Sequence, residues 1–370
     1  MGHSDHDKTP KKQAKQVSGA VSRAVSLRSG LPGAKSLKNC TRIGRLDIRI
    51  ATRTVSPPVF LAPLAGVTDL PFRRLVSRFG AGLVVSEMVA SQDVVRARPG
   101  IRERAELGLG ADNTAVQLAG RDAYWMAEAA RFVEGQGARI IDINMGCPAK
   151  KVVNGYSGSA LMRDLDHAVA LIRAVVGAVS VPVTLKTRLG WDDTSRNAPE
   201  LSRRAEAEGI AMVTVHGRTR CQFYKGRADW ASIRAVRDAV RIPVIANGDI
   251  VDAGTARKAL KQSGADGVMV GRGAQGRPWL PARIAARLYG TPAPKIPAGP
   301  ALAEVVAEHY EAMLSFYGAE LGIRVARKHL GWYMDTVATP APVRRQLLTE
   351  RDPAVVLRLL PEALSAGIAA

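Results

Sequence analysis

From Val59 onward the apolar positions recur in one unit: a short apolar run, a loop carrying Gly or Pro, then a stretch with the helical period. The runs predict strands over 59–62, 83–86, 114–117, 140–144, 183–187, 212–216, 244–246 and 267–270. Eight strands alternating with helices predict an α/β fold, a closed TIM (β/α)8 barrel rather than an open doubly wound sheet. Upstream, residues 45–50 alternate as a strand should, so order is expected from about residue 43. After the Pro-rich stretch 291–300 only the helical period remains, over 301–316, 323–334, 343–348 and 354–363. The expected organisation is a barrel over 43–290 followed by an all-helical domain over 299–370. Residues 1–42 mix Lys, Ser, Gly and Gln with few large apolar side chains, which predicts a disordered basic tail.

In such a barrel the site lies where the strands end, so the polar residues there are candidates before any chemistry is assumed. They are Pro63 to Ala65, Glu87, Gln117, Asn144 with Cys147, Lys186 with Arg188, His216, Asn247 to Asp249, and Gly271 with Arg272. Asn247-Gly248-Asp249 and Gly271-Arg272 follow the seventh and eighth strands, where barrels commonly hold a phosphate on backbone amides. Lys186 closes an otherwise apolar strand and calls for an anionic partner. Cys147 follows Gly146 and precedes Pro148 on a constrained loop, with Lys150 and Lys151 next to it. Each of these also has a plainer reading. A Gly-rich loop is often only a turn, a strand-end Gln or His often a satisfied core group, and a free Cys often a small buried apolar residue.

Charge narrows the partner. Lys and Arg total 53 against 33 Asp and Glu, a formal net charge of +20, which favours a polyanion. Nucleic acid ranks ahead of a membrane, because no stretch approaches the roughly 20 apolar residues of a spanning helix. Cys40, Cys147 and Cys221 are odd in number and widely spaced, so neither a disulfide framework nor a metal site is expected, and the compartment is read as reducing and cytoplasmic. Lys8, Lys11, Lys12, Lys15, Arg23 and Arg28 make the tail either a weak RNA-binding arm or a solvated extension. No protein partner is expected, and the sequence is silent on oligomeric state.

Six segments carry a family resemblance: LAPLAGVTDLPFRRL (61–75), DINMGCPAKKV (142–152), VTLKTRLGW (183–191), VHGRTRCQFYKGRADW (215–230), IPVIANGDI (242–250) and GVMVGRGAQGRPW (267–279). In order and spacing they resemble the tRNA-dihydrouridine synthases, and RKHLGWY (327–333) resembles the bacterial B-type branch. That resemblance implies an FMN-containing barrel that reduces the C5=C6 bond of a uracil in tRNA, with NADPH recharging the flavin. It implies that Pro63, Leu64 and Ala65 approach the flavin ring through backbone, that Gln117 bonds its pyrimidine edge, and that Lys186 lies beside its N1 and O2. His216 would flank the cofactor, while Asn247, Gly248, Asp249, Gly271 and Arg272 would hold its phosphate. Asn144 would orient the uracil and Cys147 would give the proton.

The chemistry agrees with that assignment. Hydride arriving at C6 leaves negative charge toward C5 and O4, so an acid is needed on the opposite face, and a thiol is mostly protonated at neutral pH. Lys150 and Lys151 are therefore expected to face RNA or polypeptide rather than the sulfur. A uridine inside folded tRNA must be extruded to reach a barrel mouth, and the protein must grip its surroundings. Arg188, Arg218, Arg220, Lys225 and Arg227 near the site, with Arg324, Arg327 and Lys328 in the helical domain, are the candidates for that grip. Three other readings stand beside this one: a flavin barrel acting on a free pyrimidine, a cofactor-free phosphate-binding barrel with Lys186 as Schiff-base nucleophile, and a tRNA-binding protein without catalysis.

Overall fold

A computed structural model describes residues 45–96 and 113–365. The tail expected over 1–42, and Cys40 with it, lies outside the described residues. The chain enters as an antiparallel hairpin, β1 (Ile48–Ile50) and β2 (Arg53–Val55), with Ile48 opposite Val55. Nine parallel-paired strands follow: β3 (Val59–Leu61), β4 (Leu83–Val85), β5 (Val89–Ala90), β6 (Thr114–Ala119), β7 (Ile141–Met145), β8 (Val183–Arg188), β9 (Val213–His216), β10 (Val244–Asn247) and β11 (Gly267–Val270). β4 pairs with both β3 and β6, which closes β3, β4 and β6 to β11 into an eight-stranded barrel. β5 is a two-residue addition along the far end of β6, Val89 opposite Leu118.

All eight expected strands are present, and their differences from expectation have local causes. β8 continues to Arg188, since Arg188 stays in register with His216 on β9. The strand expected over 45–50 pairs only from Ile48, and Ala51, at φ 51°, turns the chain back into β2.

The pleat sends alternate side chains to opposite faces. Val59, Leu61, Val116, Ile143 and Val215 meet the surrounding helices, whereas Phe60, Leu83, Ala115, Ile140, Met212, Ile245 and Met269 fill the barrel. Ile48, Ile50 and Val55 belong to the interior cluster, so the hairpin closes the end at which the strands begin. The open end is the one at which they finish.

The helices start and stop on local signals. In Leu70–Phe79 the Asp69 side chain accepts from the Phe72 N–H at 2.9 Å, Pro71 stands in the first turn, and Gly80 ends the helix at φ 107°. Beyond the barrel, helices Pro300–Tyr317, Ala319–Thr336, Ala341–Thr349 and Pro353–Ser365 pack round their own core of Leu302, Val306, Tyr310, Met313, Leu330, Met334 and Leu360. The second of these begins ahead of the expected 323, with Gly322 inside it. A Cβ there would lie 2.9 Å from the Leu314 Cα, so this glycine allows a close crossing and is no helix break. Among the described residues no helix is long and apolar enough to cross a membrane.

Candidate active site

A pocket of about 840 Å³ opens at the carboxyl ends of the barrel strands. That volume suits a cofactor or small-molecule site. Fourteen of the candidate residues line it: Pro63, Leu64, Ala65, Gln117, Asn144, Cys147, Lys186, Arg188, His216, Asn247, Gly248, Asp249, Gly271 and Arg272.

Two directed hydrogen-bond chains fix the pocket floor. The first is read from the backbone, whose N–H groups can only donate. Gly146 N and Cys147 N donate to Asn144 Oδ1 at 3.1 and 2.9 Å, so the other end of that amide is Nδ2. It donates to Gln117 Oε1 at 2.7 Å, which turns Gln117 Nε2 toward Asp142 Oδ2, also at 2.7 Å. Thr184 Oγ1 donates to the other carboxylate oxygen at 2.6 Å. Asp142, from inside the barrel, thus sets which atoms Gln117 and Asn144 present and where the Cys147 loop sits. From the far side, Ser159 N and Oγ donate to Cys147 O at 3.1 and 2.8 Å. Gly158 is required beside this tie: it has φ +60°, and a Cβ on it would stand 2.9 Å from that same carbonyl.

The second chain fixes a tautomer. Asn247 Nδ2 donates to the Met269 carbonyl at 2.8 Å, leaving Oδ1 to accept from Lys186 Nζ at 3.3 Å and from His216 Nδ1 at 3.1 Å. His216 therefore carries its proton on Nδ1 and turns the Nε2 lone pair toward Arg218 Nη1, 3.3 Å away. Burial, with Arg188, Lys186 and Arg218 around it, holds this imidazole well below its ordinary pKa, so it is neutral. Burial also lowers the Lys186 ammonium to about 8, with Arg188 adding to the fall and Asp142 and Cys147 opposing it. Burial raises Asp142 in turn, against its Thr184 and Gln117 hydrogen bonds and the Lys186 charge.

Residues 60–368 match the family described as Dihydrouridine synthase (Dus). The chain belongs to the dihydrouridine synthase family. A protein of Rhodobacter capsulatus named probable tRNA-dihydrouridine synthase is 60% identical over 86% of this chain and 98% of its own length. One named tRNA-dihydrouridine synthase B, from Xanthomonas campestris pv. campestris, is 45% identical over 87% of this chain and 97% of its own. Among solved structures, histamine dehydrogenase from Rhizobium sp. 4-9 superposes with a TM-score of 0.52 at 13% identity, over 72% of this chain and 50% of that one. That likeness concerns the fold.

Within this dihydrouridine synthase fold one expected RNA contact is buried. Arg218, expected at the RNA, is 1% exposed and does not line the pocket. Its guanidinium is committed to Asp249, Lys225 O, Gly226 O and His216, and so it braces the loop that follows β9. Asp249 belongs to the loop expected to hold phosphate on backbone amides, and its carboxylate takes Arg218, Arg272 and the Ala228 N–H. Those partners hold it below the usual carboxylate range against the opposing effect of burial. A carboxylate repels phosphate, and what Asp249 offers the loop is its backbone, at φ 52° beside Gly248 at φ 112°.

The other cations divide by exposure. Arg188 lines the pocket but is buried, with Nε on Gly146 O at 2.8 Å and Nη1 on Thr219 O and Phe223 O. Arg220 is half-buried and lies 4.7 Å over the Trp191 ring. Lys225 and Arg324 are exposed, whereas Arg327 and Lys328 are half-buried. Lys328 Nζ would stand 3.1 Å from a Cβ on Gly66, so it reaches the loop after β3. Lys150 and Lys151 open the short helix Lys150–Asn154 and are exposed, and the cations whose charges couple to Cys147 are Lys186 and Arg188.

Sequence reasoning missed Asp142 as the anchor of the first chain, although its alternation with Asn144 on β7 was visible. It also missed Met88, Phe223 and Tyr224 in the lining. Phe223-Tyr224, an aromatic pair between Arg220 and Lys225, was the available signal.

Proposed function

We propose that this dihydrouridine synthase reduces the C5=C6 bond of uridines in tRNA with flavin mononucleotide, recharged by NADPH. The observation that carries the reading is the Lys186 ammonium, half-buried at the pocket wall with the neutral Asn247 amide oxygen as its hydrogen-bond partner at 3.3 Å. A partly desolvated cation that lines the pocket asks for an anionic group in it, and the pyrimidine edge of a reduced flavin is one. Pro63, Leu64 and Ala65 would meet the ring through backbone. The turns at Gly248 and Gly271, with Arg272, would hold a single phosphate. The flavin would supply the hydride.

The chain's own residues supply the rest. Cys147 gives a proton to C5, and its loop is held for that purpose by Asn144 on one side and Ser159 on the other. Neutral His216 donates from Nδ1 to Asn247 and so steadies the acceptor that also holds Lys186. The net charge of +20 and the names of the relatives support tRNA over a free pyrimidine.

The test is to map dihydrouridine in tRNA from cells with and without this protein, and to extract the chromophore of the purified protein. Loss of dihydrouridine at defined positions, with FMN released from a yellow protein, is the expected result. Unchanged tRNA, or a protein that stays colourless with added flavin, overturns the reading.

A further inference from the structure

The loop after β9 presents five exposed residues in succession, Phe223 to Arg227, at the rim of the pocket. Phe223 is 44% exposed, and its backbone sits at φ 55°, a left-handed conformation that bulky residues rarely adopt. The strain is held from beneath. Arg188 Nη1 donates to the Phe223 carbonyl at 2.8 Å, and Arg218 grips two carbonyls further along the loop, Lys225 O at 3.0 Å and Gly226 O at 2.7 Å. Tyr224 lies between the Arg188 and Arg272 guanidiniums, 5.5 and 5.0 Å from its ring, and Phe223 meets it edge to face at 4.7 Å. Buried arginines and a fixed tyrosine thus keep an apolar ring outward that a loop free to relax would fold in.

The neighbours say what the ring meets. Lys225 and Arg227 are exposed and form no ion pair among the described residues. An aromatic face interleaved with unneutralised cations is the arrangement that binds unstacked nucleic acid. On the reading given above, the target uridine leaves its stack to enter the pocket, which strips the adjoining base of a stacking neighbour. We propose that Phe223 is the stacking platform for the nucleobase flanking the extruded uridine, with Lys225 and Arg227 on the phosphates beside it. This rests on RNA being the substrate, and it assigns the rim of the pocket a subsite adjoining that of the uracil.

The test measures binding of the full-length protein to an unmodified tRNA transcript across a range of salt, alongside the KM for tRNA. Phe223→Ala and Phe223→Leu should both weaken binding, by about 5- to 150-fold for a lost base stack, with the salt slope unchanged. Phe223→Trp should restore affinity. Lys225→Ala should instead flatten the slope, by about 0.7 per lost contact to single-stranded phosphate. Wild-type affinity in Phe223→Leu would show that the ring serves only as apolar packing, and a changed slope in Phe223→Ala would show a rearranged loop; either overturns the proposal. Binding is read directly, so the platform is tested even if uridine reduction is not found, a result that would count against the reaction alone.

Discussion

Two regions of this molecule bury polar side chains, and they do so in opposite ways. On the pocket floor Gln117, Asp142, Asn144, Lys186, His216 and Asn247 are joined into chains in which each donor has a named acceptor. At the junction of the barrel with the C-terminal helices, His309 and His329 pack as rings. His329 lies 5.2 Å from Phe72, 4.9 Å from His309 and 5.1 Å from Trp332, and neither of its nitrogens has a protein hydrogen-bond partner. His309 has one, the Tyr333 hydroxyl at 3.1 Å. In the first region atom identity matters, because exchanging an oxygen for an NH2 reverses every bond downstream. In the second, shape matters and the nitrogens are a cost.

The largest effect should come from the group that the floor exists to aim. On the proposed function, Cys147→Ala should still bind flavin and tRNA while uridine reduction falls by about 100- to 10,000-fold, the usual worth of a positioned acid. Single-turnover reoxidation of the reduced enzyme by tRNA reads this directly. A wild-type rate would make Cys147 structural. Cys221, exposed on the loop after β9, is the control.

Next comes the anchor. Asp142→Leu removes the acceptor of Gln117, and through Asn144 it frees the Cys147 loop; a misplacement of that kind costs on the order of 100-fold in rate. Asp142→Asn removes the charge and keeps one acceptor oxygen, for Gln117 Nε2, while its NH2 faces Thr184 Oγ1, whose hydroxyl can turn to accept. It should act through Lys186, which is protonated below about 8 in the wild type with Asp142 holding it up. Whatever depends on that ammonium declines as pH rises through about 8, and in Asp142→Asn the decline should move to lower pH. A limb that stays in place in both variants would separate Asp142 from Lys186.

At the junction the expected effects concern stability. Burial lowers His309 to about 3 and puts His329 well below its ordinary pKa, with His309 and Lys328 adding to the fall. The unfolded chain therefore binds these protons first, and stability should drop as pH falls below about 6.5, by about 1.4 kcal/mol per pH unit for each histidine. Asp69, raised to about 6 by burial against its Phe72 and Tyr317 hydrogen bonds, works the other way and offsets part of this between about 6 and 3.8. Two histidines against one carboxyl leave a net loss, measurable as denaturant midpoints from pH 7 to 4.5. The smallest effect belongs to His329→Phe. It should match or exceed wild-type stability at pH 7, because no hydrogen bond is lost, and it should remove one histidine's share of the acid slope, leaving those of His309 and His216. A large destabilisation at pH 7 would mean that His329 is bonded after all.

What could be read from the chain follows this division. Continuous apolar runs along β3, β4 and β6 to β11 mark strands because each must cover a helix on one face and fill the barrel on the other. The helix signals Asp69, Pro71 and Gly80 are local enough to see. The pocket residues were legible as polar side chains at strand ends, for the same geometric reason. Direction was not legible. Nothing in the string distinguishes Arg218, folded under its own loop, from Lys225, which stands in solvent, and Asp249 reads as a phosphate residue until Arg218 is found on it. Gly322 reads as a break because a close helix crossing depends on Met313 and Leu314, which are neighbours only after folding.

The hairpin that closes the far end of the barrel has a kinetic consequence. With Ile48, Ile50 and Val55 packed into the interior cluster, the cavity opens, among the described residues, at the carboxyl ends of the strands. On the function proposed above, a nucleotide reductant and a folded RNA would use the same opening, so each would leave before the other is admitted. Turnover then alternates between two half-reactions, and double-reciprocal plots against one substrate at several levels of the other should run parallel.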